Sequence, residues 1–183
     1  MRRVRYCVAV SLDGFIAGPK GEADWIIMDP EIDFAAMFKQ FDTFLLGRRT
    51  FEPMARVKKG ATPGVKSFVF SRTLRQEDYP GVTIVAEGVE EKVAALRAES
   101  GKDIWLFGGG SLFHSLLDAG LVDTVEVAIM PVLLGEGIAL LSPPARQTKL
   151  KLTGHKVYKS GIVSLEYSIQ RSAVKIGRQR KRK

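Results

Sequence analysis

The segment Trp105-Leu106-Phe107-Gly108-Gly109-Gly110-Ser111 constrains the fold of this chain more than any other. A short apolar run meets three glycines. From Ser111 to Ala119, Leu112, Phe113, Leu116 and Leu117 then recur at helical spacing. A strand that turns through glycines straight into a helix is the repeating unit of a parallel α/β sheet. The same turn is suited to anions. A helix start leaves backbone N–H groups unpaired and carries partial positive charge. Phosphate is attracted there, and glycine lets the backbone come close to it. The turn is not a Rossmann fingerprint, because the third glycine would fall at Phe113, and no Walker A sequence is present. Taken alone, a tight turn with no ligand explains it as well.

The rest of the chain repeats the pattern. Val4 to Ser11, Thr43 to Leu46, Lys66 to Ser71, Val82 to Val85, Asp103 to Phe107 and Val122 to Ile129 read as strands. Glu90 to Glu99 and Ser111 to Ala119 read as helices, closed by Gly101 and Gly120. Asp29-Pro30 is expected to open another helix, with Asp29 as cap and Phe34, Met37, Phe38 and Phe41 on its apolar face. Gly14 to Asp24 is a long glycine-containing loop suited to be a lid. Leu150 to Tyr158 and Ile162 to Ile169 alternate around Lys159-Ser160-Gly161, which predicts a hairpin. The expected architecture is an α/β fold: a mostly parallel mixed sheet, helices on both faces, and a C-terminal antiparallel hairpin.

Composition bounds the function. The 183 residues suit one domain, here residues 1–173, followed by a basic tail at 174–183 expected to be disordered. The net charge of +8 is mostly that tail, whose ten residues carry six of the 28 Lys and Arg and no acid. With no aromatic platform beside it, the tail reads as a solvated terminus, which argues against a nucleic-acid partner. The single cysteine, Cys7, excludes an intrachain disulfide and favours a cytoplasmic setting. No apolar run approaches a membrane span of ~18 residues. Two scattered histidines and one cysteine give no metal-ligand spacing, so no metal is expected.

Two further turns carry anion chemistry. Gly47-Arg48-Arg49-Thr50 follows a strand and precedes a helical stretch, and its arginines offer planar forks of donors for phosphate. Ser71-Arg72-Thr73 follows the next strand. Ligands of open α/β sheets bind at the carboxyl ends of strands, where all three turns lie.

In order and spacing, Ser11-Leu12-Asp13-Gly14-Phe15-Ile16-Ala17-Gly18, Trp25, Asp42 to Glu52, Phe68 to Ser71 and Ile104 to Leu112 resemble the dihydrofolate reductase-like superfamily. With Pro131 to Gly137, they look most like the reductase domain of the bifunctional riboflavin-biosynthesis deaminase/reductase and its stand-alone relatives. The resemblance covers about residues 3 to 170. It implies a three-layer α/β/α fold, a homodimer, and NADPH as hydride donor. Gly47, Arg48, Arg49 and Thr50 would contact phosphates, with the arginines favouring the 2′-phosphate. Ser71 and Arg72 would lie near the adenosine. Gly108, Gly109, Gly110, Ser111 and Leu112 would hold the pyrophosphate, and Ala9, Ile16 and Ala17 would flank the nicotinamide.

Catalytic residues are harder to name. Dihydrofolate reductases carry an acid early in the helix that follows the lid, so Glu31 and Asp33 are candidates, with Asp13 as a third. Each also has a plain structural role, as a first-turn acid or a turn residue. Glu126, on a mainly apolar strand, has two readings, a side chain facing the pocket or one on the exposed face, and the exposed face is the expectation. The expected activity is NADPH-dependent reduction of a small pyrimidine- or pterin-type heterocycle, of the 5-amino-6-(5-phosphoribosylamino)uracil reductase type. The deaminase zinc motif is absent from these residues, which leaves the genuine substrate open. The alternatives are a true dihydrofolate reductase, and a non-catalytic nucleotide-binding protein or a nucleic-acid binder acting through the tail.

Overall fold

The structure is a computed structural model of the chain and describes residues 1–58 and 64–170. The basic tail at 174–183 lies outside the described residues. In chain order the elements are β1 (Val4–Ser11), β2 (Phe15–Ala17), α1 (Phe34–Phe38), β3 (Phe41–Gly47), α2 (Arg48–Lys58), β4 (Lys66–Phe70) and β5 (Thr83–Val85). They continue with α3 (Val89–Ala98), β6 (Asp103–Gly108), α4 (Gly110–Asp118), β7 (Thr124–Met130), β8 (Ile138–Ala139), β9 (Leu150–Val157) and β10 (Val163–Ile169). Among the described residues no helix is long and apolar enough to cross a membrane.

Eight strands form one sheet in the order β5-β4-β3-β6-β1-β7-β10-β9. The first six of that order run parallel, and β10 and β9 pair antiparallel at the end, as the C-terminal hairpin predicts. β2 and β8 pair separately as a short antiparallel ribbon. This ribbon is absent from the sequence analysis, which places Phe15 to Ala17 in the lid loop and assigns no element at Ile138-Ala139. Each strand is too short for periodicity to signal it.

The alternation along β1 sets the two layers. Val4, Tyr6 and Val10 point into a core shared with Val93 and Leu96 of α3 and with Leu112, Phe113 and Leu116 of α4. On the other face Phe44, Leu46, Phe51, Val69 and Trp105 form a second core, with Met37 of α1 and Met54 of α2 packed against it. Each fully buried side chain of this size contributes about 1.5–3 kcal/mol. Tyr6 stacks on Phe113 with ring centroids 4.0 Å apart, which ties β1 to α4.

The helix ends follow local chemistry. Gly120, at φ +67°, closes α4. Its N–H donates to Leu117 O at 3.0 Å, and Leu121 N–H donates to Leu116 O at 2.9 Å, the paired bonds of a left-handed glycine stop. The helix expected at Asp29-Pro30 starts later. The Asp29 carboxylate accepts from Glu31 N at 2.7 Å and makes a turn instead. Asp33 caps the five-residue α1 by accepting from Ala36 N at 2.8 Å.

Candidate active site

Gly47 and Gly108 end the neighbouring strands β3 and β6, so the two glycine turns meet. Thr50 of α2 joins them. A Cβ on Gly108 would sit 3.3 Å from Thr50 Oγ1, and one on Gly109 3.2 Å from it. Gly108 also has φ +148°, a conformation that side-chain-bearing residues rarely adopt. A Cβ on Gly110 would meet the Ala139 carbonyl oxygen of β8 at 3.0 Å. Packing therefore favours glycine at this turn apart from any ligand. The Gly108–Gly109 peptide is cis.

This junction is one wall of a cleft of about 1730 Å³. Pockets for drug-sized ligands measure about 300–1,000 Å³, so the cleft has room for a dinucleotide and a second small molecule. The three anion-type turns of the sequence analysis open onto it: Gly47, Arg48, Arg49 and Thr50; Ser71 and Arg72; and Gly108, Gly109, Gly110, Ser111 and Leu112. Ala9, Ile16 and Ala17 line it as well. The first turns of α2 and α4 contain no acid to compete for their N–H groups. Arg48 lies 3.7 Å from Glu52, one helical turn on. Arg49 and Arg72 are exposed and have no carboxylate partner among the described residues. The Ser71 hydroxyl accepts from Thr73 N and Leu74 N at 3.2 and 3.1 Å, which fixes its turn.

The other end of the cleft is different in character. Phe34, Met37 and Phe38 of α1 line it, and the lid contributes Pro19, Lys20, Gly21 and Ala23. Trp105 packs against Phe38, Phe41 and Phe107 in tilted contacts and against Phe44 edge-on, at centroid distances of 4.9 to 5.4 Å, and its indole N–H donates to Cys7 O at 3.0 Å.

Among the three acids singled out from sequence, only Asp33 lines the cleft. Asp13 sits at the β1–β2 turn. Its carboxylate accepts from Ser11 Oγ at 2.6 Å and from the backbone N–H of Leu134 and Gly135 at 3.1 and 2.7 Å. Those bonds, the Ser11 hydroxyl first, hold the Asp13 carboxyl below its ordinary value. Asp13 thus clamps two loops and does not face the cleft. Glu31 lies at the surface, 3.6 Å from Lys159 Nζ.

Glu126 corrects the sequence reading. It is not on an exposed face but in the cleft floor, beside Cys7 and Arg5. Arg5 donates to both its oxygens at 2.7 Å, and Thr124 Oγ1 adds a third bond at 2.7 Å. Burial alone would raise the Glu126 carboxyl, but the Arg5 and Thr124 bonds outweigh it and hold it below the ordinary value. Burial and then the Glu126 charge push the Cys7 thiol well up, so it stays protonated. Arg5 is absent from the sequence-based candidates although a signal exists: like Glu126, it interrupts an apolar strand with a charge, and the two signs are opposite.

The RibD C-terminal domain profile matches residues 2–164. The chain is 37% identical over 178 residues to the uncharacterized protein YyaP of Bacillus subtilis (strain 168), covering 91% of this chain and 94% of YyaP. Its fold is similar to the diaminohydroxyphosphoribosylaminopyrimidine deaminase/5-amino-6-(5-phosphoribosylamino)uracil reductase of Thermotoga maritima. There the TM-score is 0.68 and the identity 20%, over 92% of this chain and 57% of that one. It is also similar to Enterococcus faecalis dihydrofolate reductase complexed with NADP(H) and RAB-propyl, with TM-score 0.69 and 18% identity, over 92% and 97% of the two chains. These two likenesses agree with the dihydrofolate reductase-like α/β fold seen in the strand order. By the extent of the profile match and the identity to YyaP, the chain belongs to the RibD C-terminal domain family.

Proposed function

We propose that the protein is an NADPH-dependent reductase of a small nitrogen heterocycle, of the type found in riboflavin biosynthesis. The observation that carries this reading is the convergence of three anion-suited turns, from the ends of β3, β4 and β6, on one cleft. The residues present fit a phosphorylated dinucleotide. The glycine cradle lies close against Thr50, where a Cβ would be tight, the first turn of α4 offers unpaired N–H groups, and Arg49 and Arg72 are open cations. NADPH, when bound, supplies a hydride.

The chain's own part is binding, orientation and exclusion of water. Ser111, Leu112 and Thr50 would hold the pyrophosphate, and Arg48 and Arg49 would meet the 2′-phosphate. Ala9, Ile16 and Ala17 leave a small apolar seat for the nicotinamide beside β1. The Pro19 to Ala23 segment covers the site. Asp33, at the head of α1, is the acid placed to hold a proton toward the substrate, and its Oδ1 is fixed by the Ala36 N–H. The similarity in fold to the Thermotoga reductase and the Enterococcus dihydrofolate reductase supports the class of chemistry.

The test compares thermal melting with NADPH and with NADH. Ligand at ~100 times Kd adds about 2.7 kcal/mol of stability, so NADPH is expected to raise the melting temperature well above the effect of NADH. Arg49→Ala should narrow that difference. Equal shifts would refute the 2′-phosphate role of the arginines. No shift with either would refute the cofactor.

A further inference from the structure

The strand register puts Cys7, Glu126, Glu166 and Gly154 side by side on the cleft face of β1, β7, β10 and β9. The first two belong to a floor whose polar groups are used up. Arg5 gives Nε and one Nη to Glu126, and the other Nη to Gln40 Oε1 at 2.6 Å and Asp103 at 3.4 Å. It also lies 4.8 Å from the centre of the Phe41 ring. Each Glu126 oxygen accepts twice: Oε1 from Arg5 and Thr124, Oε2 from Arg5 and the Cys7 thiol at 3.4 Å. A carboxylate has about four acceptor positions, so this pair is saturated and electrically neutral.

Glu166 is the open group. It stands directly opposite Glu126, a like-charge arrangement that disfavours the sheet unless something compensates it. Arg5 compensates Glu126 only. Among the described residues no cation lies within salt-bridge distance of Glu166. Gly154 makes room for it, since a Cβ there would lie 3.1 Å from Glu166 Oε2. Lys156, on the same face of β9, is placed over the Tyr158 ring at 4.2 Å. Flat aromatic walls, Trp105 and Phe107, face the same space.

Open cations are scarce at this end. The other lining arginines, Arg48, Arg49 and Arg72, lie beyond β6 at the ends of β3 and β4. Lys20, exposed on the lid, is the remaining lining cation among the described residues. A phosphoryl dianion is normally met by several charge-assisted donors, whereas Lys20 on the lid and Lys156 over the Tyr158 ring are exposed single-point cations and neither is a planar fork.

We propose that the substrate end selects a flat, unphosphorylated nitrogen heterocycle with an amino or amidine-type donor edge, and that Glu166 is the specificity-determining residue that accepts from that edge. The inference rests on the reductase reading above. The test uses the full chain and begins with the NADPH melting shift, whose absence would refute both. With NADP+ saturating, calorimetric titration then compares 2,4-diaminopyrimidine with uridine 5′-monophosphate. 2,4-Diaminopyrimidine is expected to bind at least about tenfold tighter, and Glu166→Gln to weaken it by at least about tenfold, the scale of one charge-assisted hydrogen bond. The variant should keep the NADPH shift, which shows that it is folded. Given an NADPH shift, three results overturn this inference alone: uridine 5′-monophosphate binding as tightly or tighter, binding of 2,4-diaminopyrimidine indifferent to Glu166→Gln, or binding of neither probe.

Discussion

Gly110→Ala tests whether the triple-glycine turn is held by packing as well as by a ligand. The substitution adds one methyl group at the first residue of α4. Two effects compete. Alanine is favoured over glycine by up to about 1 kcal/mol inside a helix, and by less at its first position. Against this, the new Cβ would sit 3.0 Å from the Ala139 carbonyl oxygen and 3.7 Å from Ile16 Cδ1. The oxygen is backbone and cannot rotate away. Its strand is held by the Phe15–Ala139 pairing and by the bond from Leu140 N to Gly14 O at 2.9 Å. Overpacking of this kind costs about 1–3 kcal/mol, so the net effect is destabilising by about 1–2 kcal/mol. For a domain of this size that lowers Tm by roughly 2–8 °C. The relief also pushes the β2–β8 ribbon away from the helix start, where the pyrophosphate is proposed to lie. A tenfold loss of NADPH affinity would cut its stabilisation, at 100 times the original Kd, from about 2.7 to about 1.4 kcal/mol. The assay is thermal melting of both proteins with and without NADPH. An unchanged or higher Tm together with an undiminished NADPH shift would refute the reasoning.

Two other perturbations address the frame around the site. Arg97 of α3 is buried and donates to both Asp123 oxygens at 2.8 and 2.9 Å, while Asp123 also accepts from Val4 N. Arg97→Ala removes the guanidinium from a partly buried carboxylate that still accepts from Val4 N at the start of β1, and is expected to cost about 3 kcal/mol; a loss below about 1 kcal/mol in urea unfolding would show the pair to be solvent-screened. Asp13 gives a pH signature. Its folded carboxyl lies below the ordinary value of 3.8, so its contribution to stability is complete above that pH and is lost as pH falls through the lower folded value. Asp13→Asn should therefore destabilise the protein near neutrality and flatten its acid unfolding below about pH 4. An acid limb identical to that of the parent protein would contradict the clamp.

What could be read in advance divides along physical lines. The strand–glycine–helix units were legible because their signals are local: an apolar run, a residue able to take positive φ, a helical period. Gly120 is an example, since the left-handed stop it supplies depends only on its neighbours in sequence. Asp29 and Asp33 show the limit of local reasoning. Both can cap a helix, and the choice fell to Asp33 once the Asp29 carboxylate bonded Glu31 N in a turn of its own. Glu126 shows a deeper limit. Whether a strand residue faces solvent or a cleft depends on what covers that side of the sheet.

By itself, then, the sequence determined the sheet's mostly parallel order, the antiparallel finish and the three turns chemically suited to phosphate. Tertiary structure decided which polar residues share a space. Asp13 and Gly135 are far apart in the chain, and so are Arg5 and Glu126; only the folded sheet brings each pair within hydrogen-bonding distance. The proposed cofactor end was readable because short contiguous turns build it. The proposed substrate end was not, because it is assembled from single residues of β1, β7 and β10 whose meeting is fixed by register.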